Sequence, residues 1–363
     1  MSSITSLTSS AKESGLPGSM PALKKLKAAP GLTFVDSVEL PVVGPRDVLI
    51  RVTHAGICGT DRHIFEWDHW SQNRVKVGIT TGHEFCGRVV QVGPAVTRVQ
   101  IGERVSAEGH IGCGVCESCR TGNAHICDRV QIFGIDCDGC FATYHKVPEE
   151  NVWPVNEQIR DEVAAIFDPL GNAVHTVMTA GVSGKSVLIT GVGIIGLMAV
   201  TVAKAAGASR IIATDVDEER LKLARELGAD VTFNARDSWV AGAKAETWGR
   251  GPQVLLEMSG NPHAIRDGFN ALQPGGTVAM LGIPPDDITL DLTNAVIFKG
   301  ATVYGINGRR MFQTWYQMER FVLSGRLNLD PIITHVIDMA DFEKGFAMMQ
   351  SGEAIKVVMK IPE

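Results

Sequence analysis

Four cysteines, Cys113, Cys116, Cys119 and Cys127, stand in a C-x2-C-x2-C-x7-C run. Thiolates at that spacing can close around one tetrahedral metal ion, and four protein sulfurs leave no coordination position for a substrate. The spacing therefore predicts a structural ion, zinc above all, since it lacks the usual iron–sulfur runs. A second set differs in kind. Cys58 in GICGTD and His83 with Glu84 in TGHEF lie at the ends of separate β-rich segments. A thiolate, an imidazole and a carboxylate suit a zinc ion that keeps one position free for water or substrate. The lone C-x2-C of Cys137 and Cys140 has no second pair to accompany it, and Cys86 lies on an apolar run. These three are read as cysteines of no chemical role.

A third constellation is Gly191, Gly193 and Gly196, a G-x-G-x-x-G that follows a strand-like VLIT and opens a helix-like run. Such glycines permit a tight turn and close approach of the backbone, so that a pyrophosphate meets the free N–H groups and dipole of a helix N-terminus. The next strand ends at Asp215, where a carboxylate can bind the adenosine ribose hydroxyls and repel a 2'-phosphate. Arg220, close by, is placed along the adenine edge. The cofactor expected is NAD rather than NADP.

These residues need elements to hold them. From about Asp47 to Ala107, runs such as VLIRVTHAGI and CGRVVQVG alternate with glycine turns, which predicts a mostly antiparallel β domain. From Ser186 onward, short apolar strands alternate with amphipathic helix-length segments, which predicts an α/β fold with a doubly wound parallel sheet of about six strands. The boundaries expected are a disordered extension over 1–19, a catalytic zinc-binding domain over 20–173 and 305–363, and a dinucleotide-binding domain over 174–304. The C-terminal segment is too short to stand alone and is expected to complete the first domain.

Composition agrees with small-molecule chemistry. Across 363 residues the hydrophobic fraction is 45% and the formal charge is -6, which gives no electrostatic reason to expect nucleic acid. No apolar run reaches the ~20 residues that would cross a bilayer, so no membrane partner is expected. The eight cysteines crowd into one region as metal ligands do, which suggests a reducing compartment and hence the cytoplasm.

GICGTDRH, TGHEF, the four-cysteine lobe and GVGIIG, in that order, resemble the zinc-containing medium-chain alcohol dehydrogenases over nearly all of the chain after Met20. Within that superfamily FEWDHWSQ (65–72), AEGHI (107–111), IFDPLGNAVHT (166–176), LEMSG (256–260), MLGIPP (280–285) and GRRMFQTWY (308–316) are similar to the L-threonine 3-dehydrogenase family. The resemblance implies a GroES-like catalytic domain with a structural zinc lobe beside a Rossmann domain. It implies that Cys58, His83 and Glu84 bind a catalytic zinc, with Asp168 nearby as an outer or proton-relay group or as a further ligand, and that Thr60 and His63 carry the substrate proton outward. Ile195, Asp215, Arg220, the Leu281–Gly282–Ile283 stretch, and Ile306 with Asn307 match cofactor contacts. The expected reaction is oxidation of L-threonine to 2-amino-3-oxobutanoate with hydride passing to NAD, in a homotetramer. The alternatives are a sorbitol- or butanediol-type polyol dehydrogenase and, in a different class, a non-catalytic nucleotide-binding relative.

Overall fold

Strand-forming residues dominate the first third of the chain, and the computed structural model, which describes residues 15–362, places them in an antiparallel sheet. A hairpin of β1 (Ser19–Lys24) and β2 (Thr33–Glu39) is followed by β3 (Asp47–Gly56), two short helices α1 (Gly59–Glu66) and α2 (His69–Arg74), and β4 (Glu84–Val92). Next come β5 (Arg104–Ala107), β6 (His110–Ile111), α3 (Glu117–Arg120), β7 (Gln131–Ile132), β8 (Tyr144–Pro148), β9 (Val152–Pro154) and α4 (Asp161–Ala165). Strand β3 is central, pairing with β4 on one edge and β8 on the other. Val48, Leu49, Ile50 and Val52 in it are accordingly buried on both of its faces, as a near-continuous apolar run predicts.

One carboxylate ties this sheet together. Asp161, at the start of α4, accepts from Arg104 Nε on β5 (2.6 Å) and from Thr53 Oγ1 on β3 (3.1 Å), and His54 Nδ1 stands 3.4 Å away. The His54 contact and the Arg104 guanidinium outweigh partial burial and hold the Asp161 carboxyl well below the usual carboxylate range.

The second unit begins with α5 (Phe167–Ala180), followed by β10 (Ser186–Thr190), α6 (Ile194–Ala205), β11 (Arg210–Asp215), α7 (Glu218–Leu227), β12 (Val231–Asn234) and α8 (Val240–Ala245). It continues through β13 (Val254–Glu257), α9 (Pro262–Ala271), β14 (Thr277–Met280), β15 (Thr302–Gly305) and α10 (Gln313–Leu323). Its six strands are parallel in the order β12-β11-β10-β13-β14-β15, so the direction of winding reverses between β10 and β13. In such sheets the crevice outside the strand C-termini at that reversal is where a dinucleotide binds. Local signals start the helices: Asp217 accepts from the N–H groups of Glu219 and Arg220 to cap α7, and Asn261 caps α9 ahead of Pro262. The chain then returns to the first unit through β16 (Ile333–Asp338), α11 (Phe342–Ser351) and β17 (Lys356–Lys360), which pairs antiparallel with β3.

The compact units comprise residues up to 112, 129–166 and 335 onward, and residues 113–128 with 167–334. They differ from the expected domains at three places, each for a packing reason. Helix α5 packs on α6, and Phe167 meets Trp315 of α10 edge-on (6.0 Å between rings), so both helices join the second unit. The cysteine lobe joins it too, with the His125 ring edge-on to His175 at 5.5 Å. Of the extension expected over 1–19, residues 1–14 lie outside the described residues, whereas Leu16 packs against the Met20 cluster and Ser19 is already in β1. No helix among the described residues is long and apolar enough to cross a membrane.

Because the Asp161 pKa is depressed in the fold, its contribution to stability is present above the unfolded value and is lost as pH falls toward the folded one. Asp161→Asn should therefore melt below the parent at pH 7, with the gap closing once pH drops below about 4. Thermal melts of both proteins from pH 7 to pH 3 measure this, and a gap independent of pH would contradict it.

Candidate functional site

Strand β3 ends at Gly56, and two residues later Cys58 takes the N-cap position of α1. Asp61, three residues into the helix and wholly buried, accepts the Cys58 N–H through Oδ2 (2.9 Å) and sets its Oδ1 3.7 Å from His83 Nδ1. A carboxylate behind an imidazole in this way orients it toward a metal. Burial pushes the Asp61 carboxyl up, with His83 and the Cys58 N–H opposing. Glu84 opens β4 and His83 immediately precedes it, both are buried, and Cys58, His83 and Glu84 each bring a ligand atom within 4.8 Å of the others. Three donors of these types fit zinc with one position left over.

Glu84 is held from the far end of the chain. Lys356 Nζ, at the start of β17, lies 2.5 Å from Glu84 Oε2 and donates to the Ile57 carbonyl (2.8 Å), and both charged side chains are wholly buried. Gly56 must be glycine for this: a Cβ there would stand 2.4 Å from Glu84 Oε2 and 3.1 Å from Lys356 Cε. Thr60, half-buried, and His63, 46% exposed, follow on α1, and His63 Nδ1 meets Asp68 Oδ2 at 2.6 Å.

In the lobe, Cys116 caps α3, Cys119 lies within it, and a 3-10 turn over Ala124–Ile126 delivers Cys127. With Cys113 these four sulfurs lie within 4.8 Å of one another, and the Cys116–Cys127 separation is 3.7 Å. The edge of a regular tetrahedron with Zn–S bonds of ~2.3 Å is about 3.8 Å, so the donor set fits a closed zinc site. The Val115 and Cys116 N–H groups draw Cys113 down to about 6, whereas burial pushes Cys119 up to about 12. Sulfurs this close shed all their protons only when a cation balances them. Burial raises the other three thiols, Cys86 to about 12, Cys137 to about 11 and Cys140 well above the ordinary range, which keeps them protonated as inert packing groups.

The glycine-rich turn lies at the mouth of a cavity of about 490 Å³ lined by Gly191, Gly193, Asp215, Arg220, Ser259 and Asn261, among others. Gly191 has φ +83°, and a Cβ on Gly196 would stand 2.1 Å from the Gly191 carbonyl, so the turn and the close packing of α6 each require glycine. At Gly193 a Cβ would meet nothing, which leaves the backbone open to a phosphate. Asp215 accepts the Val192 N–H (2.8 Å) through Oδ2 and the Asp217 N–H (3.0 Å) through Oδ1, and each oxygen keeps a lone pair for a ribose hydroxyl. Arg220 stands 4.0 Å from Asp217. Ile195 is half-buried on α6, Leu281 and Gly282 follow β14, and Ile283 is exposed. Ile306 and Asn307, past the end of β15, line a second cavity of about 410 Å³ with His175 and Arg310. Glu257, unremarked in the sequence, is wholly buried at the end of β13 and accepts from the Ser259 (3.0 Å) and Gly260 (3.2 Å) N–H groups, which shapes the opposite wall of the first cavity.

Asp168, on α5, belongs to neither group of metal-ligating side chains. Its Oδ1 pairs with Arg309 Nη1 at 2.7 Å, and Arg309, 1% exposed, crosses Gly171, where a Cβ would lie 2.4 Å from its Cδ.

Residues 44–157 match the alcohol dehydrogenase GroES-like domain and residues 195–324 the zinc-binding dehydrogenase family. L-threonine 3-dehydrogenases of Bacillus licheniformis (46% identity, 95% of this chain and 99% of that one) and Chromobacterium violaceum (48%, 94% and 99%) align over nearly the full length. The chain belongs to the zinc-dependent medium-chain alcohol dehydrogenases. Among solved structures it is similar to 2R,3R-butanediol dehydrogenase from Bacillus subtilis (26% identity, TM-score 0.85, 95% of this chain and all of that one). It is also similar to a zinc-binding dehydrogenase from Sinorhizobium meliloti bound to NADP (28%, TM-score 0.87, 95% and all).

Family membership makes the two donor sets separable by experiment. Zinc analysis of the purified protein should approach two equivalents per chain. Cys113→Ser should lower both zinc content and thermal stability, because a closed site is coupled to folding. Cys58→Ser should lose about one equivalent and activity while melting near the parent. Equal loss of fold in both variants would count against the division.

Proposed function

We propose that the chain oxidises the 3-hydroxyl of L-threonine, passing hydride to NAD and forming 2-amino-3-oxobutanoate. The observation that carries this reading is the open Cys58, His83 and Glu84 donor set in a chain that aligns over 95% of its length with L-threonine 3-dehydrogenases at 46% identity. A non-catalytic descendant would have no use for that set.

Cys58, His83 and Glu84 would hold the catalytic zinc, which supplies a Lewis acid that lowers the pKa of a bound hydroxyl. Asp61 orients His83, and Lys356 fixes the Glu84 carboxylate. Thr60 would take the hydroxyl proton, and His63, exposed to solvent at its outer side, would release it. The turn Gly191–Gly196 would bind the NAD pyrophosphate, with Asp215 on the adenosine ribose, Arg220 beside the adenine, and Ile195, Leu281, Gly282, Ile283, Ile306 and Asn307 along the cofactor. Asp168, bound to Arg309, would serve as an outer group of the reaction. The product is a β-keto acid, which loses carbon dioxide to give aminoacetone unless a ligase consumes it.

A homotetramer in the cytoplasm completes the proposal. Strand β15 is an unpaired sheet edge with Val303 and Tyr304 exposed on it and Ile297 and Phe298 exposed just before it, an arrangement that favours pairing with a second copy. Thiolate ligands favour a reducing compartment.

NADH absorbance with L-threonine beside D-threonine, L-serine, sorbitol and butane-2,3-diol should give the highest kcat/KM for L-threonine; a preference for either polyol would replace this reading with a polyol dehydrogenase. Asp215→Ser should raise KM for NAD and relax rejection of NADP. A parent enzyme that already prefers NADP would remove Asp215 from the role given to it.

A further inference from the structure

Helix α1 ends in an abrupt reversal. Trp67, its C-cap, has left-handed backbone angles (φ 56°, ψ 46°), and its N–H bonds the His63 carbonyl. Lys25 pins the turn, its Nζ standing 4.7 Å over the Trp67 ring while donating to the Ala29 (2.6 Å) and Gly31 (2.9 Å) carbonyls. The reversal brings Asp68 back against His63, with Oδ2 2.6 Å from Nδ1. The other oxygen of the same carboxylate is occupied: Oδ1 caps α2 by accepting from Ser71 N–H (2.9 Å) and Oγ (3.0 Å), and Ser71 is wholly buried. The carboxylate therefore cannot rotate away from His63 without losing the cap.

The neighbouring charges are engaged elsewhere. On α1, Asp61 is turned to Cys58 and His83, and Arg62 faces Glu66 (3.5 Å), which also accepts from Gln350 of α11. On α2, His69 meets Asn73, and Arg74 pairs with Asp136. Asp68 is the carboxylate that faces the His63 ring.

We infer that Asp68 is a positioning residue of the proton relay: it holds the His63 proton on Nδ1 and so keeps Nε2 as the atom that accepts. The inference rests on the relay reading of Thr60 and His63. In it, the substrate hydroxyl proton passes through Thr60 to Nε2, His63 becomes an imidazolium beside the Asp68 carboxylate, and a water molecule takes one proton to restore the neutral ring. Asp68 itself stays ionised throughout. Burial opposes this, but the Ser71 N–H, His63 and the Ser71 hydroxyl together hold its carboxyl below the ordinary value. An ion pair this exposed contributes little to stability. Choice of tautomer is a separate effect, and a wrongly protonated imidazole cannot act as a base even in intact geometry.

Asp68→Asn separates the two roles. Asparagine keeps one oxygen, and the α2 cap retains it on Ser71, so the amide NH2 would face His63 Nδ1 and force the ring proton to Nε2. The kcat for L-threonine should fall by roughly 10- to 100-fold, within the range of general acid–base contributions, with KM for NAD, zinc content and Tm near the parent. Asp68→Ser, which keeps a capping oxygen but no carboxylate, should fall as well. In a His63→Ala background, Asp68→Asn should change kcat by less than about twofold, since the two residues act as one unit. A silent Asp68→Asn beside a slow His63→Ala would overturn the inference and leave the relay standing. Equal fractional losses in both backgrounds would overturn it in favour of a structural role. Full activity in His63→Ala would remove the relay reading itself.

Discussion

A carboxylate and an ammonium, both sealed from water, meet at 2.5 Å where Glu84 and Lys356 face each other behind Gly56. Taking two charges out of solvent costs several kcal/mol for each, and close pairing with a second hydrogen bond, here to the Ile57 carbonyl, offsets it. Removing one partner of such a pair typically costs roughly 3–5 kcal/mol, so neither side chain can be left alone. That constraint dictates that the C-terminal strand return to β3. The return brings α11 with it, and its Phe346 stacks on Phe65 of α1 at 4.5 Å between rings and 11° between planes. The helix carrying Thr60 and His63 is thus braced by the segment that supplies Lys356.

The same economy of placement serves the rest of the chemistry. The open donor set clusters where one strand ends and the next begins: Gly56 pairs with Glu84, and Cys58 and His83 lie within two residues of that pair. The lobe needs no sheet, because one short helix and a 3-10 turn place its sulfurs, and a zinc ion held by them would supply the cohesion that so few apolar residues cannot. The cavity beside the glycine-rich turn depends on strand order: the reversal between β10 and β13 packs Gly191 directly against Ser259, where a Cβ would stand 2.7 Å from the Ser259 Cβ, with Asp215 at the end of the neighbouring strand.

Local features were the legible ones. Cysteine spacing, the glycine-rich turn and its acidic partner, and the alternation of strand and helix patterns all act within a few tens of residues, and each is present in space as the sequence led one to expect. Asp61 could have been found, since an acid three residues past an N-cap is a helix-start signal. Lys356 and Arg309 could not, because a buried partner far along the chain leaves no periodic trace. The unit boundaries were misplaced for a related reason. Helix α5 is buried on nearly every face, and an apolar periodicity states that a helix is covered without stating by which core. Asp68 stood in a motif that was noticed, but its meaning depends on a left-handed residue at Trp67, which side-chain pattern does not reveal.

The proposed metal chemistry divides between a closed site that would hold structure and an open one that would perform the reaction. Anomalous diffraction at the zinc edge, from crystals grown with NAD and L-threonine, tests that division most directly. Two peaks per chain are predicted, one about 2.3 Å from each of the four lobe sulfurs and one bound by Cys58, His83 and Glu84 with the threonine hydroxyl as a further ligand. A single peak in the lobe, or a second peak at a site that excludes Cys58 and the substrate, would contradict it.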